Sequence, residues 1–319
     1  MSSPDVLVLG EVLVELTAHE PLRDGATLRL AFSGDALNAA GAAAAAGAAT
    51  ALLARVPDDE LGDDLVRSAQ ALGIDTSLVR RVPGQHGLYL QHADPSGARE
   101  FVYARSGSAG SGLHPDDLTD ETVAGAGAVL ASGVTCAVSA SARAAVERAA
   151  GAARVFVYDP NWRPGLIGAA AAAKHLRSLA PYSRLVTPAW PREARALLGV
   201  DSDAPDSPAA AAAKLREWGA DAVAVTLGSE GVLVDDRGQL TAVAAFAPER
   251  IVDQTGAGDV LAGTVTARMA LGDPLVEAVR LGAAAAALSL QGQGGTGHLA
   301  GLADTRRLVR SRIDREVTA

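Results

Sequence analysis

The sequence predicts an α/β fold: a three-layer αβα sandwich on a mostly parallel central sheet, with a small β-sheet lid. Three observations carry that expectation. Apolar runs of strand length alternate with helix-length segments along most of the chain, which implies parallel strands covered by helices on both faces. Two regions break this rhythm with period-two patterning, as half-exposed antiparallel strands do. Hydrophobic residues make up 49% and charged residues 20% of the 319, enough apolar material for one domain spanning 1–319 with a large core.

In chain order, the first strand is Val6–Leu9, closed by Gly10. VLVELTA and TLRLAF then alternate apolar and polar residues and form one part of the lid, about residues 11–33. The alanine- and glycine-rich run from Ala36 onward suits close helix packing better than a bilayer. A strand at Thr50–Leu53 and a helix within DDELGDDLVRSAQALG follow. GLYLQHADPSGAREFVYAR completes the lid, about residues 85–105, with a hairpin turn at Asp94-Pro95-Ser96-Gly97. Further strands are expected at Ala128–Ala131, Val155–Tyr158, Arg184–Thr187 and Ala222–Leu227. SPAAAAAKLREWG reads as a helix with Pro208 in its first turn. GVLVDDRGQLTAV reads as an edge hairpin turning at Asp236-Arg237-Gly238, and VLAGTVTARMALG as a helix ending at Gly272.

Charge and motif patterns narrow the chemistry. A net charge of −9 opposes general affinity for nucleic acid or anionic membranes. The lone Cys136 excludes an internal disulfide and suits a reducing, cytoplasmic setting, where it reads as packing. MSSPDVLVLG has no basic segment before its apolar run and does not read as a secretory signal. The only lysines, Lys174 and Lys214, lie inside alanine-rich helices without a preceding glycine, so there is no P-loop. Leu261 stands where a dinucleotide fingerprint needs its third glycine. The six histidines form no HExxH, and Ser106, Ser108 and Ser111 no GxSxG elbow.

What remains is DQTGAGDVLAG at 253–263. Gly256-Ala257-Gly258 reads as a tight turn opening a helix, whose free N–H groups and positive dipole end favour an anion. Asp259 in that first turn has two readings. It caps the helix, or it takes a proton from an attacking hydroxyl while the turn receives phosphate charge.

DQTGAGDVLAGTV resembles the C-terminal signature of the ribokinase (PfkB) family of sugar kinases. SGDALNAAGAAAAAG is similar to that family's sugar-binding segment, and VTLGSEGVLV to its nucleotide-site strand and turn. The resemblance spans nearly the whole chain. It implies a ribokinase-like fold, Asp259 as catalytic base, an anion hole of Gly256, Ala257 and Gly258, and Thr226, Gly228 and Gly231 near the nucleotide. It implies ATP and Mg²⁺, with a monovalent cation and dimerisation through the lid sheet as further family traits.

Gly10-Glu11, the segment Tyr103, Arg105, Ser108, Ala109 and the segment Asp159, Pro160, Asn161, Arg163 are similar to the 2-keto-3-deoxygluconate kinase branch. Taken singly, each arginine reads as a solvated charge and each tyrosine as half-buried packing. Together, by that resemblance, Arg105 and Arg163 hold a sugar-acid carboxylate while Gly34, Asn38, Tyr89 and Tyr103 contact the rest. A guanidinium fork suits a carboxylate. Ser33, Gln254 and Trp190 depart from the family pattern. Trp190 takes the place of an asparagine in an N-x-x-E segment whose acid, Glu193 here, is implied to organise Mg²⁺ through water. A kinase of a neutral sugar such as fructose or ribose, and a catalytically silent sugar-binding protein, are the alternative readings.

Overall fold

A computed structural model describes residues 3–18, 20–92, 101–200 and 207–318. Its strands are β1 (Val6–Leu9), β2 (Leu13–Ala18), β3 (Arg29–Ser33), β4 (Thr50–Pro57), β5 (Ile74–Asp75), β6 (Val79–Val82), β7 (Leu88–His92), β8 (Val102–Ala104), β9 (Ala128–Ser132), β10 (Phe156–Asp159), β11 (Ser183–Val186), β12 (Ala222–Thr226), β13 (Val232–Asp236) and β14 (Gln239–Val243). The α-helices are α1 (Asp35–Ala45), α2 (Glu60–Ala71), α3 (Asp120–Gly125), α4 (Gly133–Val138), α5 (Ala140–Ala152), α6 (Ala169–Leu179), α7 (Ser207–Glu217), α8 (Ala257–Ala270), α9 (Leu275–Ser289) and α10 (Leu302–Thr318). No helix among the described residues is long and apolar enough to cross a membrane.

The main sheet runs β14-β13-β12-β11-β10-β9-β1-β4-β5, with β6 also on β4. Its pairs are parallel except β12–β13 and β13–β14, the edge hairpin. Alternation along β1 explains the three layers. Val6 and Val8 pack into a core with α1, α2, α8 and α9, while Leu7 and Leu9 face a second core with α3 to α7. Cys136 is buried in that second core, as packing.

The lid sheet has the order β3-β2-β7-β8. One expectation is corrected here: the lid is not wholly antiparallel, because β2 and β7 pair parallel. Local patterning shows that a strand is half exposed but not the direction of its neighbour. The expected turn at Asp94-Pro95-Ser96-Gly97 lies outside the described residues. Register places Ala31, Glu15, Tyr89 and Tyr103 in one row across the four strands, and Leu30, Leu16, Leu90 and Val102 in the next. Side chains in adjacent rows point to opposite faces. The first row carries the polar groups of the cavity described below. In the second row Leu30 and Val102 are exposed.

Small residues bring α1 and α8 together. Both helices are mostly Ala, Gly and short aliphatics on their contact faces, and a Cβ at Gly263 would lie 2.1 Å from the Ala39 carbonyl oxygen. Neither backbone can yield without moving its helix. Gly263→Ala is therefore expected to cost about 1–3 kcal/mol despite alanine's better helix propensity. The check is a lower urea midpoint at unchanged m-value.

Candidate active site

Helix α8 opens at Gly256, whose φ of 80° is ordinary for glycine and strained for other residues. No side chain caps this helix. Asp259 is turned elsewhere: its Oδ2 accepts from Asn38 Nδ2 and its Oδ1 from Asn161 Nδ2, both at 2.8 Å. The capping reading of Asp259 is thus excluded. Asn38 comes from α1, and Asn161 from the loop after β10, where it holds a φ of 40° that asparagine tolerates better than most residues. Three chain segments converge on one buried carboxylate.

Burial pushes the Asp259 pKa up to about 6; the Asn38 hydrogen bond opposes this, the charge of Asp35 adds to it, and Arg163 and Asn161 oppose it. At neutral pH the group is ionised, yet its proton affinity is close to what a general base needs.

Around Asp259 lies a cavity of about 500 Å³. It sits beyond the carboxyl ends of the main strands, where open α/β sheets take ligands. The main body supplies Gly256, Ala257 and Gly258, with Asn38, Asn161 and Arg163; the lid supplies Tyr89 and Tyr103, with Arg105 just after β8. Gly34 also lines it, with φ 120° and a virtual Cβ only 2.5 Å from the Glu11 carbonyl oxygen. No side chain fits there.

Several side chains are already engaged. Tyr89 donates its hydroxyl to Glu15 Oε2 at 2.6 Å, and Tyr89 and Tyr103 face each other with ring centroids 6.0 Å apart. The Arg105 guanidinium lies over the Tyr103 ring at 5.5 Å and pairs with the buried Glu11. Asn38 accepts from Ser33 Oγ at 3.1 Å besides donating to Asp259.

On the far side Thr226 lines the cavity, whereas Gly228 and Gly231 form the turn after β12 and do not. Gly231 has a packing reason of its own, since a Cβ there would meet the Val243 carbonyl oxygen at 2.1 Å. Glu193 is buried against the cavity, with Oε1 accepting from the Trp162 N–H at 2.7 Å and Oε2 from the Ala189 N–H at 2.8 Å. Burial raises its pKa against those two amides. Among the described residues no group of three or more His, Cys, Asp or Glu could hold a metal ion. Glu193, the acid expected to act on a metal, already accepts from two backbone amides, and a carboxylate keeps further lone pairs for a bridging water.

Asp35, Thr187 and Asp159 line the cavity without having been given a role by the sequence reading. Asp35 looks like an acid placed for a helix dipole, but its Oδ2 accepts from Ser132 Oγ at 2.5 Å and Thr135 Oγ1 at 3.0 Å while Oδ1 is buried without a partner. Thr187 Oγ1 is likewise buried and unpartnered. Asp159 is buried too, its pKa pushed well up by desolvation and by Glu193 and Asp259. Asp35 and Asp159 stand inside the SGDALN and DPNWR segments, whereas Thr187 carries no local signal.

A family model described as "pfkB family carbohydrate kinase" matches residues 3–299. A 2-dehydro-3-deoxygluconokinase of Thermoproteus tenax is 36% identical over 289 residues, 89% of this chain and 87% of that protein. A 2-dehydro-3-deoxygalactonokinase of Haloferax volcanii is 28% identical over 291 residues, covering 89% and 90%. The crystal structure of a PfkB protein from Polaromonas sp. JS666 superposes with a TM-score of 0.83 at 28% identity, covering 96% of this chain and 99% of that one.

Asn38→Ala tests the electrostatics of the site directly. A hydrogen bond to the ionised form lowers a carboxyl pKa, so its loss should raise the Asp259 midpoint by on the order of one unit. The ¹³C titration of the Asp259 carboxyl reads this without any ligand.

Proposed function

The chain belongs to the pfkB family of carbohydrate kinases, with its ribokinase-like fold, and on that premise we propose that it uses ATP to phosphorylate the 6-hydroxyl of a 2-keto-3-deoxy sugar acid. 2-Keto-3-deoxygluconate (2-dehydro-3-deoxygluconate) is the first choice. One observation carries the reading: a buried, doubly anchored carboxylate at a helix N-terminus shares its cavity with Arg105 from the lid and Arg163 from the main body. The first group suits phosphoryl transfer to a hydroxyl; the arginines suit a carboxylate. The relatives' names favour the same substrate class, and gluconate and galactonate derivatives differ only in the orientation of a hydroxyl.

In this mechanism the substrate carboxylate lies against Arg105 and Arg163, and the 6-hydroxyl points at Asp259. Asp259 accepts the hydroxyl proton as the oxygen attacks the γ-phosphorus, and the bond to the bridging oxygen of ADP breaks. The amides of Gly256, Ala257 and Gly258, with the dipole of α8, stabilise charge on the transferring group. Thr226 and the Gly228–Gly231 turn hold the nucleotide side. Mg²⁺ carried by ATP would neutralise phosphate charge, and Glu193 is the side chain that would help to hold it through water. A reducing cytoplasm is the compartment proposed for this activity.

The reading is tested by ADP release with a panel of 2-keto-3-deoxygluconate, 2-keto-3-deoxygalactonate, 3-deoxyfructose, fructose and ribose. The acids are expected to exceed 3-deoxyfructose, which bears CH₂OH in place of the carboxylate, by roughly 30-fold or more in kcat/KM, equivalent to about 2 kcal/mol. Equal rates would leave a neutral-sugar kinase.

The base has its own signature. Asp259 works only when deprotonated, so kcat/KM is present above about pH 6 and falls as pH drops through it. Asp259→Asn should cut turnover by roughly 10²- to 10⁴-fold and abolish that limb, while nucleotide binding by calorimetry survives.

A further inference from the structure

Arg105 is not held by the cavity alone. Its Nη2 donates to Glu11 Oε2, and both side chains are buried, with 7% and 0% of their surface exposed. Its Nε, also buried, has no partner. A buried guanidinium N–H left unpaired costs free energy, and here it belongs to a side chain lining the cavity. Glu11 itself does not line the cavity. It lies just past β1 on the main body, whereas Arg105 lies just past β8 on the lid.

The surroundings are shaped around the Glu11 carboxyl. Ser108 donates its hydroxyl to Oε1 at 2.9 Å, and the Ser108 turn is itself fixed by Ser111, which bonds its carbonyl at 2.7 Å and its hydroxyl at 3.2 Å. A Cβ at Gly110 would come within 2.9 Å of Glu11 Cγ, and one at Gly87 within 2.9 Å of Glu11 Oε1. Two glycines, a serine and an arginine thus converge on a carboxyl that does not itself line the cavity. A surface salt bridge would need no such cradle.

We propose that Glu11 is the positioning residue of the acid-binding site: it grips Arg105 at one nitrogen and holds the guanidinium against the cavity wall, with its remaining hydrogen-bonding capacity directed to the substrate carboxylate. The inference rests on the sugar-acid reading above. Glu11 also keeps the empty site from burying an unpaired cation, so Arg105 is oriented before the substrate arrives. Preorganisation of this kind strengthens ground-state and transition-state binding alike, and its loss appears in KM rather than kcat.

The experiment is a cycle of Glu11→Asp, Glu11→Gln, Arg105→Ala and the two doubles, assayed on 2-keto-3-deoxygluconate and on neutral 3-deoxyfructose. Glu11→Asp keeps the charge but withdraws the carboxyl by one methylene, and is expected to raise KM for the acid about 10-fold with kcat within about threefold. Glu11→Gln keeps the size and an acceptor for Ser108; it should raise that KM roughly three- to tenfold and serves if the aspartate variant does not fold. KM for 3-deoxyfructose should move at least about fivefold less in both, and either change added to Arg105→Ala should leave KM within about threefold of Arg105→Ala alone. An unchanged KM in both Glu11 variants, equal effects on the two sugars, or effects that multiply with Arg105→Ala would overturn the inference. If Arg105→Ala itself spares the acid, the sugar-acid reading fails instead.

Discussion

The structure depends on keeping one carboxylate charged where little water reaches it. A buried ionised acid without donors would take up a proton, and Asp259 avoids this through two amide groups from distant parts of the chain. The 2.8 Å contact from Asn38 requires α1 and α8 to touch backbone to backbone, which accounts for the alanine and glycine content of both helices. The contact from Asn161 requires β10 to end beside α8, with its next loop bent into a left-handed conformation. Helix packing density and base chemistry are here the same constraint seen at two scales.

The lid is tied to that base by polar groups as well as by Val14 and Phe32, which join the core shared with α1. Glu15 on β2 accepts from Tyr89 and from the Gly295 N–H at 3.2 Å, so one lid carboxylate spans to the loop after α9. Asp253, just before the glycine turn, accepts from the Gly294 N–H at 2.9 Å and the Thr255 hydroxyl at 2.8 Å. The turn that opens α8 is therefore braced by the same loop that receives the lid. The glycine turn and the lid are thus tied to adjacent residues, 294 and 295.

Much of this was legible in the sequence, for identifiable reasons. Strands such as Val6–Leu9 and Ala128–Ser132 are short apolar runs in a regular alternation, and the GAGD turn is local, so spacing alone places Asp259 in the first turn of a helix. Partner identity is not local. Nothing in the residues around Asn38 says that its amide donates to an acid 221 positions away. Glu193, expected to act through water on a metal, is seen to fasten two loop amides. The parallel pairing of β2 and β7 was hidden because it joins strands separated by four further strands and two helices. Gly231 illustrates the reverse: a motif glycine can be required by a neighbouring strand rather than by the cavity.

Charge around the cavity then decides what can bind. Asp35, Asp159, Glu193 and Asp259 line it, against Arg105, Arg163 and Arg192. Were all four acids ionised, the cavity would repel both a sugar acid and a nucleotide. Burial raises Asp159, Glu193 and Asp259 alike, so the site sheds negative charge most readily where the acids crowd together. Asp259 has the countervailing donors that keep it ionised near neutrality, and Arg163 acts on Asp159, Glu193 and Asp259 at once. That arginine cannot be assigned to the substrate alone, because it also sets the proton affinity of the base. Arg105 stands apart, paired with the buried Glu11, which is not part of the cavity lining. The two arginines therefore sit in different electrostatic settings, one among the acids of the site and one against a carboxylate behind its wall.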